Sequence, residues 1–312
     1  MFIDILLEGD IDLDEPDLII GPIALYQLYI NMHLLREDVK SPFLSSKARL
    51  EFSRAIAIAM LNSGGALEIG LESTLNVIKN SSRIRNEINR EIEQENLEKI
   101  FTDLRVSGFL TITSDNKFAF SHKSFMEFFV ADTIQEDCSA KLSCPLLDQE
   151  LNYEILQFLG GFSMYREEYK RTMLDRWSET TVKSNAWTNL SVAHLFTAPK
   201  ISNHNFSDFD FSGVKISRRT YSHCSFKKVR LSHLECIAST FLQTTFDRTS
   251  LSGWFKDIKF LACDGKLKLD GAGVNIEFDN CILKLLGKIK FQDSCVTTVS
   301  YTHLTLPTIL LV

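Results

Sequence analysis

The sequence predicts an α+β multidomain chain: a mainly helical N-terminal part of winged-helix type, followed by a right-handed quadrilateral β-helix. Three observations carry this. Apolar residues recur at helical spacing through most of the first two hundred positions, and the period falls to two across residues 109–121, where one β-hairpin fits. From Phe206 the period becomes five, which neither a helix nor a flat strand can use.

The bulk composition is that of an ordinary globular protein. The chain has 312 residues, 45% hydrophobic and 24% charged, enough for two domains with cores of their own. Its net charge of −6 is unevenly spread, acidic before residue 200 and mildly basic after it. The seven cysteines form no C-x-x-C pair, and an odd, scattered set fits a reducing compartment better than a disulfide framework. No apolar run approaches the ~18 residues of a membrane span, and the acidic start is unlike a signal peptide. The expected location is cytoplasmic, with no membrane partner.

Residues 1–45 read as helical pieces around the acidic stretch 8–17, with an amphipathic run over 22–35. Residues 46–135 form the second block. A Ser-capped, alanine-rich helix covers 46–62 and is ended by Gly64-Gly65; a short helix follows near 71–79, then a longer one over 83–104. Gly108 closes that helix. The alternating stretches 109–113 and 117–121 flank Asp115-Asn116 as a hairpin. Another helix is expected over 125–135, opened by Ser121 or Ser124, with Phe125, Phe128 and Phe129 as core. Residues 136–198 read as a helical linker domain with two or three helices.

Residues 199–298 read as the β-helix. Phe206, Phe211, Ile216, Tyr221, Phe226, Leu231, Cys236, Phe241, Phe246 and Leu251 occupy every fifth position without a gap. A square coil with one pentapeptide per side would stack them along its axis. Two residues before these positions stand Val214, Cys224, Val229, Leu234, Ser239, Thr244 and Thr249, small or medium enough for corners. His204, Phe209 and Arg219 fit that corner poorly, so the first coil is expected to be imperfect. Beyond Gly253 the register breaks, though alternating pairs such as Ile258/Phe260 and Ile276/Phe278 suit degenerate coils. Residues 299–312 contain VSYTHLTLPT, which looks like a translated sequencing adapter. They are set aside, and the natural protein is expected to continue past residue 298.

The stretch 118–131 reads FAFSHKSFMEFFVA and resembles the winged-helix segment of NACHT-family STAND NTPases, F-x-F-x-H-x-S-F-x-E-[FY]-x-x-A. The upstream run Leu25-Tyr26…Leu34-Leu35-Arg36-Glu37 is similar to that family's L-Y-x…L-x-R-E segment. The resemblance covers about residues 1–135, and the segment after residue 199 is pentapeptide-repeat-like. It implies that His122 contacts the β-phosphate of ADP in the resting state of an intact parent. Read by itself, His122 is a helix cap or a residue packed beneath the hairpin. Glu127 reads as an ion-paired helix carboxylate or, through the motif, as a functional contact.

No G-x-x-x-x-G-K-[ST] is present. Gly265-Lys266 and Gly287-Lys288 lack the upstream glycine that lets backbone N–H groups wrap phosphates. The sequence therefore implies no enzyme in this fragment and no cofactor or metal of its own. ATP/ADP with Mg belongs to an NTPase domain expected before residue 1. His223-Cys224 and His233…Cys236 are the nearest His/Cys pairs, and both cysteines fall in inward columns. Implied partners are the missing NTPase domain, an unknown ligand or protein at the coil, and further copies on activation, in a setting of antiviral defence. A basic coil could instead make a free-standing protein- or nucleic-acid-binding module. Nucleic acid is the less expected partner, because the aromatics fall in the interior column.

Overall fold

A computed structural model describes residues 22–38, 43–80, 97–106, 109–113, 115, 117–165, 167–181, 184–195 and 200–291. The chain divides into two compact units, Met1–Ser143 and Cys144–Val312. The expected helix over 83–104 lies partly outside the described residues, and the acidic stretch 8–17 and the adapter-like tail lie wholly outside them.

The first unit contains helices α1 (Pro22–Asp38), α2 (Ser46–Asn62), α3 (Leu71–Asn80), α4 (Leu97–Val106) and α5 (Lys123–Ser139). Ser45 caps α2, its hydroxyl accepting the Ala48 N–H at 3.2 Å. At the other end Gly64 and Gly65 take φ of +76° and +77°. Their N–H groups return to the last carbonyls of α2, a conformation glycine adopts without steric cost. Helix α2 is buried around most of its circumference, Ala55, Ile56 and Ala57 completely. Arg49, Glu51 and Arg54 are therefore buried too. The Arg54 guanidinium bridges Glu51 on its own helix and Asp132 on α5. Burial opposes that charge, but Asp132 and Glu51 hold the group ionised. Truncating one member of such a triad strands its partners and costs about 3–5 kcal/mol.

The predicted hairpin is present as β2 (Leu110–Ile112) and β3 (Lys117–Phe120), paired antiparallel. A third strand, β1 (Glu68–Gly70), adds to β3, so the sheet order is β1-β3-β2. Three residues with one buried side chain, Ile69, leave no alternation to read; only pairing with β3 makes Glu68–Gly70 a strand.

The second unit begins with a 3-10 turn (Pro145–Asp148) and helices α6 (Tyr153–Tyr165), α7 (Glu167–Glu179) and α8 (Asn185–Leu195). It continues as a parallel β-solenoid of about 5 turns. Ile201 stacks on Tyr221, Phe206 on Phe226, Phe211 on Leu231 and Ile216 on Cys236, a spacing of 20 residues in each case. Each early turn thus carries four short strand segments. The fifth-position side chains are inward and nearly all buried, Phe206 and Tyr221 at 0% exposure. Tyr221, Phe241, Phe260 and Phe278 form one near-parallel ladder with centroids 4.9–5.1 Å apart. Phe206, Phe226 and Phe246 form a second, set edge-on to the first. Full burial of one such ring contributes about 1.5–3 kcal/mol.

Corners recur two residues after each inward position. Asp208, Arg218, His223, Lys228, His233, Ala238, Gln243 and Arg248 all adopt φ between 47° and 58°. Left-handed backbone costs about 1–2 kcal/mol for a non-glycine residue. The compensation at six of these corners is a bond from the corner N–H to the turn above, as in Asp208 to Lys227 O and His223 to Leu242 O, both at 2.9 Å. The expected corner column is buried as well, including Val214 and Ser239 at 0%. Thr244, Cys263 and Cys281 repeat one device there: the hydroxyl or thiol donates to the inward residue's carbonyl one turn below, at Tyr221, Phe241 and Phe260.

The break after Gly253 is a shortening of the turn. Phe241 pairs with Phe260 after 19 residues and Leu251 with Leu269 after 18. The solenoid continues in 18-residue turns to Phe291. Gly253 marks the first shortened corner. A Cβ there would overlap the Leu234 carbonyl one turn below, which only glycine avoids.

The first turn departs from the pattern where expected, and the cap explains why. Nothing of the solenoid stacks beneath it, so α6 and α8 cover it. Trp187 Nε1 donates to Ser207 O at 2.9 Å, Tyr153 O–H donates to Lys215 O at 3.1 Å, and the His194 ring lies 4.3 Å from that of His204. Phe209 is buried while Phe211, its neighbour in the inward column, is only half-buried.

Candidate functional site

The motif histidine sits at the N-terminus of α5. Neither Ser121 nor Ser124 is the cap; His122 is, with extended backbone at φ −147° and ψ 140°. Its Nδ1 accepts the Ser124 N–H at 3.2 Å and lies 2.6 Å from Ser124 Oγ. Tyr26 of α1, 98 residues away, donates its hydroxyl proton to the same Oγ. The chain of donors runs Tyr26 to Ser124 to His122. With Nδ1 accepting, the proton of a neutral imidazole falls on Nε2.

The aromatic residues beneath set this geometry. Phe125, Phe128 and Phe129 are 1%, 2% and 0% exposed. Tyr26 stacks on Phe128 at 5.3 Å and meets Phe125 edge-on at the same distance, which holds its hydroxyl at Ser124. Burial raises the Tyr26 pKa, so the phenol stays protonated and able to donate. His122 and Lys123 are exposed. Glu127, one turn along, is buried and accepts the Lys123 ammonium at 3.0 Å, so the carboxylate is ion-paired.

The site thus presents an exposed N–H donor where the helix dipole is positive, the arrangement that receives an anion. Tyr26 and Ser124 are the members that the residue pattern did not assign to it. Nothing in the spacing tells that Tyr26 crosses 98 positions to reach Ser124.

No family, curated protein or solved structure matches this chain.

The other sequence candidates are not brought together. His223 is an exposed corner whose Nδ1 lies 2.8 Å from Ser222 Oγ, while Cys224 is buried and bonded to Ile201 O. His233 contacts Ser212 Oγ at 2.9 Å on the outside, whereas Cys236 faces inward and burial pushes its thiol up to about 12. Gly265-Lys266 and Gly287-Lys288 are solenoid positions, where an added Cβ would strike Phe246 O or Leu269 O. No group of three metal-ligating side chains occurs among the described residues, and no described helix is long and apolar enough to cross a membrane.

Proposed function

We propose that the chain is the regulatory part of a STAND (NACHT) signalling NTPase, with a winged helix in residues 46–135 that helps hold ADP in the resting state. The supporting observation is the His122 cap. Because Nδ1 is committed to Ser124, Nε2–H is the donor left facing outward at a helix N-terminus. That fits a phosphate oxygen; the nucleotide and its Mg would be held by an NTPase domain preceding residue 1. The solenoid, taken as right-handed and quadrilateral, would sense a ligand or partner. Binding there would favour an open, oligomerising state only if the ligand prefers that state. The setting is cytoplasmic antiviral defence, and the chain itself performs no catalysis.

The test uses the intact parent, read from the sequence flanking this frame. An upstream phosphate-binding loop is required; its absence overturns the ATPase link. In that parent His122→Asn keeps an N-cap acceptor but replaces the ring with a shorter amide, whose N–H groups do not reach the position of Nε2–H. It should weaken ADP binding about tenfold, the loss of one charge-assisted hydrogen bond, and leave the melting temperature nearly unchanged. Unaltered ADP affinity would leave His122 a cap alone.

A second reading is a free-standing pentapeptide-repeat-like module that binds protein or nucleic acid. It is favoured by the self-contained second unit, in which the helical cap and the solenoid share one compact body.

A further inference from the structure

The solenoid register gathers basic residues from distant positions onto one edge. Consider the segment that follows Phe206, Phe226, Phe246, Gly265 and Leu283 in successive turns. It carries Lys227 and Lys228 on the second turn, Arg248 on the third, Lys266 and Lys268 on the fourth, and Lys284 on the fifth. All six are exposed. In sequence they span 58 positions and show as two short pairs and two isolated residues, Arg248 and Lys284.

The charge pairing of this edge differs from that of the other segments. Elsewhere opposite charges stack one turn apart, as in Lys215 with Glu235 at 3.5 Å and Lys259 with Glu277 at 2.9 Å. On the first turn the edge follows the same rule, with Asp208 under Lys228 and Asp210 under Arg230. Above that it holds where Asp247 is the register partner of Lys227, and then lapses. Lys266 is the direct register partner of Lys284, and Lys228 and Arg248 occupy equivalent corners. Asp247 and Asp270 each lie against one cation, Arg248 and Lys268. Lys227, Lys266 and Lys284 have no ion pair among the described residues. Like charges directly opposite in a ladder are destabilising, so this stacking opposes folding and is relieved when an external polyanion supplies the countercharge.

We infer that this edge of the solenoid is a docking surface for the phosphate backbone of a nucleic-acid duplex. With turns about 4.8 Å apart, the cations of turns two to five form a row roughly 15 Å long. That is about four base pairs at 3.4 Å each. The solenoid's aromatic ladders are buried inside the coil, so the edge offers charge without stacking platforms. Such a surface reads backbone rather than bases and favours duplex over single strands. It is independent of His122 and of any upstream NTPase domain.

The test is fluorescence anisotropy of the full 312-residue chain with a labelled duplex of about 20 base pairs. A single strand of equal length and vesicles containing anionic lipid are run alongside. Binding should weaken about fiftyfold between roughly 50 and 200 mM salt, as expected for about three neutralised phosphates. The combined variant Lys227→Gln, Arg248→Gln, Lys266→Gln and Lys284→Gln should bind at least tenfold more weakly with a flatter salt slope. Arg218→Gln with Lys256→Gln, exposed on another segment of the turn, should bind as the parent does. All four edge side chains are exposed, and circular dichroism confirms that each variant folds. No duplex binding at about 50 mM salt overturns the proposal. So do equal losses in the two variants, or binding to vesicles in place of duplex.

Discussion

His122 and His204 show how one residue type takes opposite roles in this chain. His122 is exposed and uses one nitrogen for the helix while the other faces outward. His204 stands where the repeat calls for a small corner residue, and it packs against His194 and Phe206. Burial pushes its pKa down to about 4, against an ordinary value near 6.5. Between those values the folded chain binds fewer protons than the unfolded one, so stability rises with pH. The contribution is complete above about pH 6.5 and is lost as the pH falls toward 4. Allowing for the ring's partial exposure, it amounts to roughly 1–2 kcal/mol. Melting should show it as a drop in Tm from pH 7.5 to pH 5 that His204→Leu largely removes; an equal drop in that variant would assign the effect to other groups. The sequence marked His204 as a misfit in the column. The reason, a helix lying over the first turn, is a tertiary fact.

At the scale of elements, the fifth-position column was legible because its period is incompatible with the other regular structures. The shortened turns were less so. Removing one or two residues per turn destroys the numerical repeat but keeps the stacking, since pairing depends on which residues face inward rather than on equal spacing. Gly253 and Gly213 illustrate the energetic difference. Both lie at corners with positive φ, but a Cβ at Gly253 overlaps the Leu234 backbone while one at Gly213 meets nothing within 4 Å. Gly213→Ala should cost about 1 kcal/mol, the ordinary left-handed penalty. Gly253→Ala should cost more than about 3 kcal/mol or separate the turns, because backbone must move. Chemical denaturation of the two variants compares them directly, and equal losses would mean that the corner relaxes freely. Strand β1 is the opposite case: too short to show a period, it exists through its partner β3.

Across the whole chain, each of the two units depends on contacts that join distant segments. In the second, the cap supplies the first turn with the neighbour that stacking supplies to every other. Residues 200–291 without the cap should expose the Phe206 end and bind a hydrophobic dye or self-associate. The same span with residues 144–199 restored should stay monomeric; a monomeric, cooperatively melting solenoid in both would show that the helices are not its cap. In the first unit, the Arg54 triad and the Tyr26–Ser124–His122 chain each join helices far apart in sequence. The sequence by itself determined the helical front, the hairpin, the five-residue coil and the position of His122, because each rests on a local period or an unbroken motif. The tertiary structure decided the third strand, the capped first turn, the 18-residue turns, the partners of His122 and the basic edge. Each of these depends on which residues stack or meet across many positions, and no local period records that.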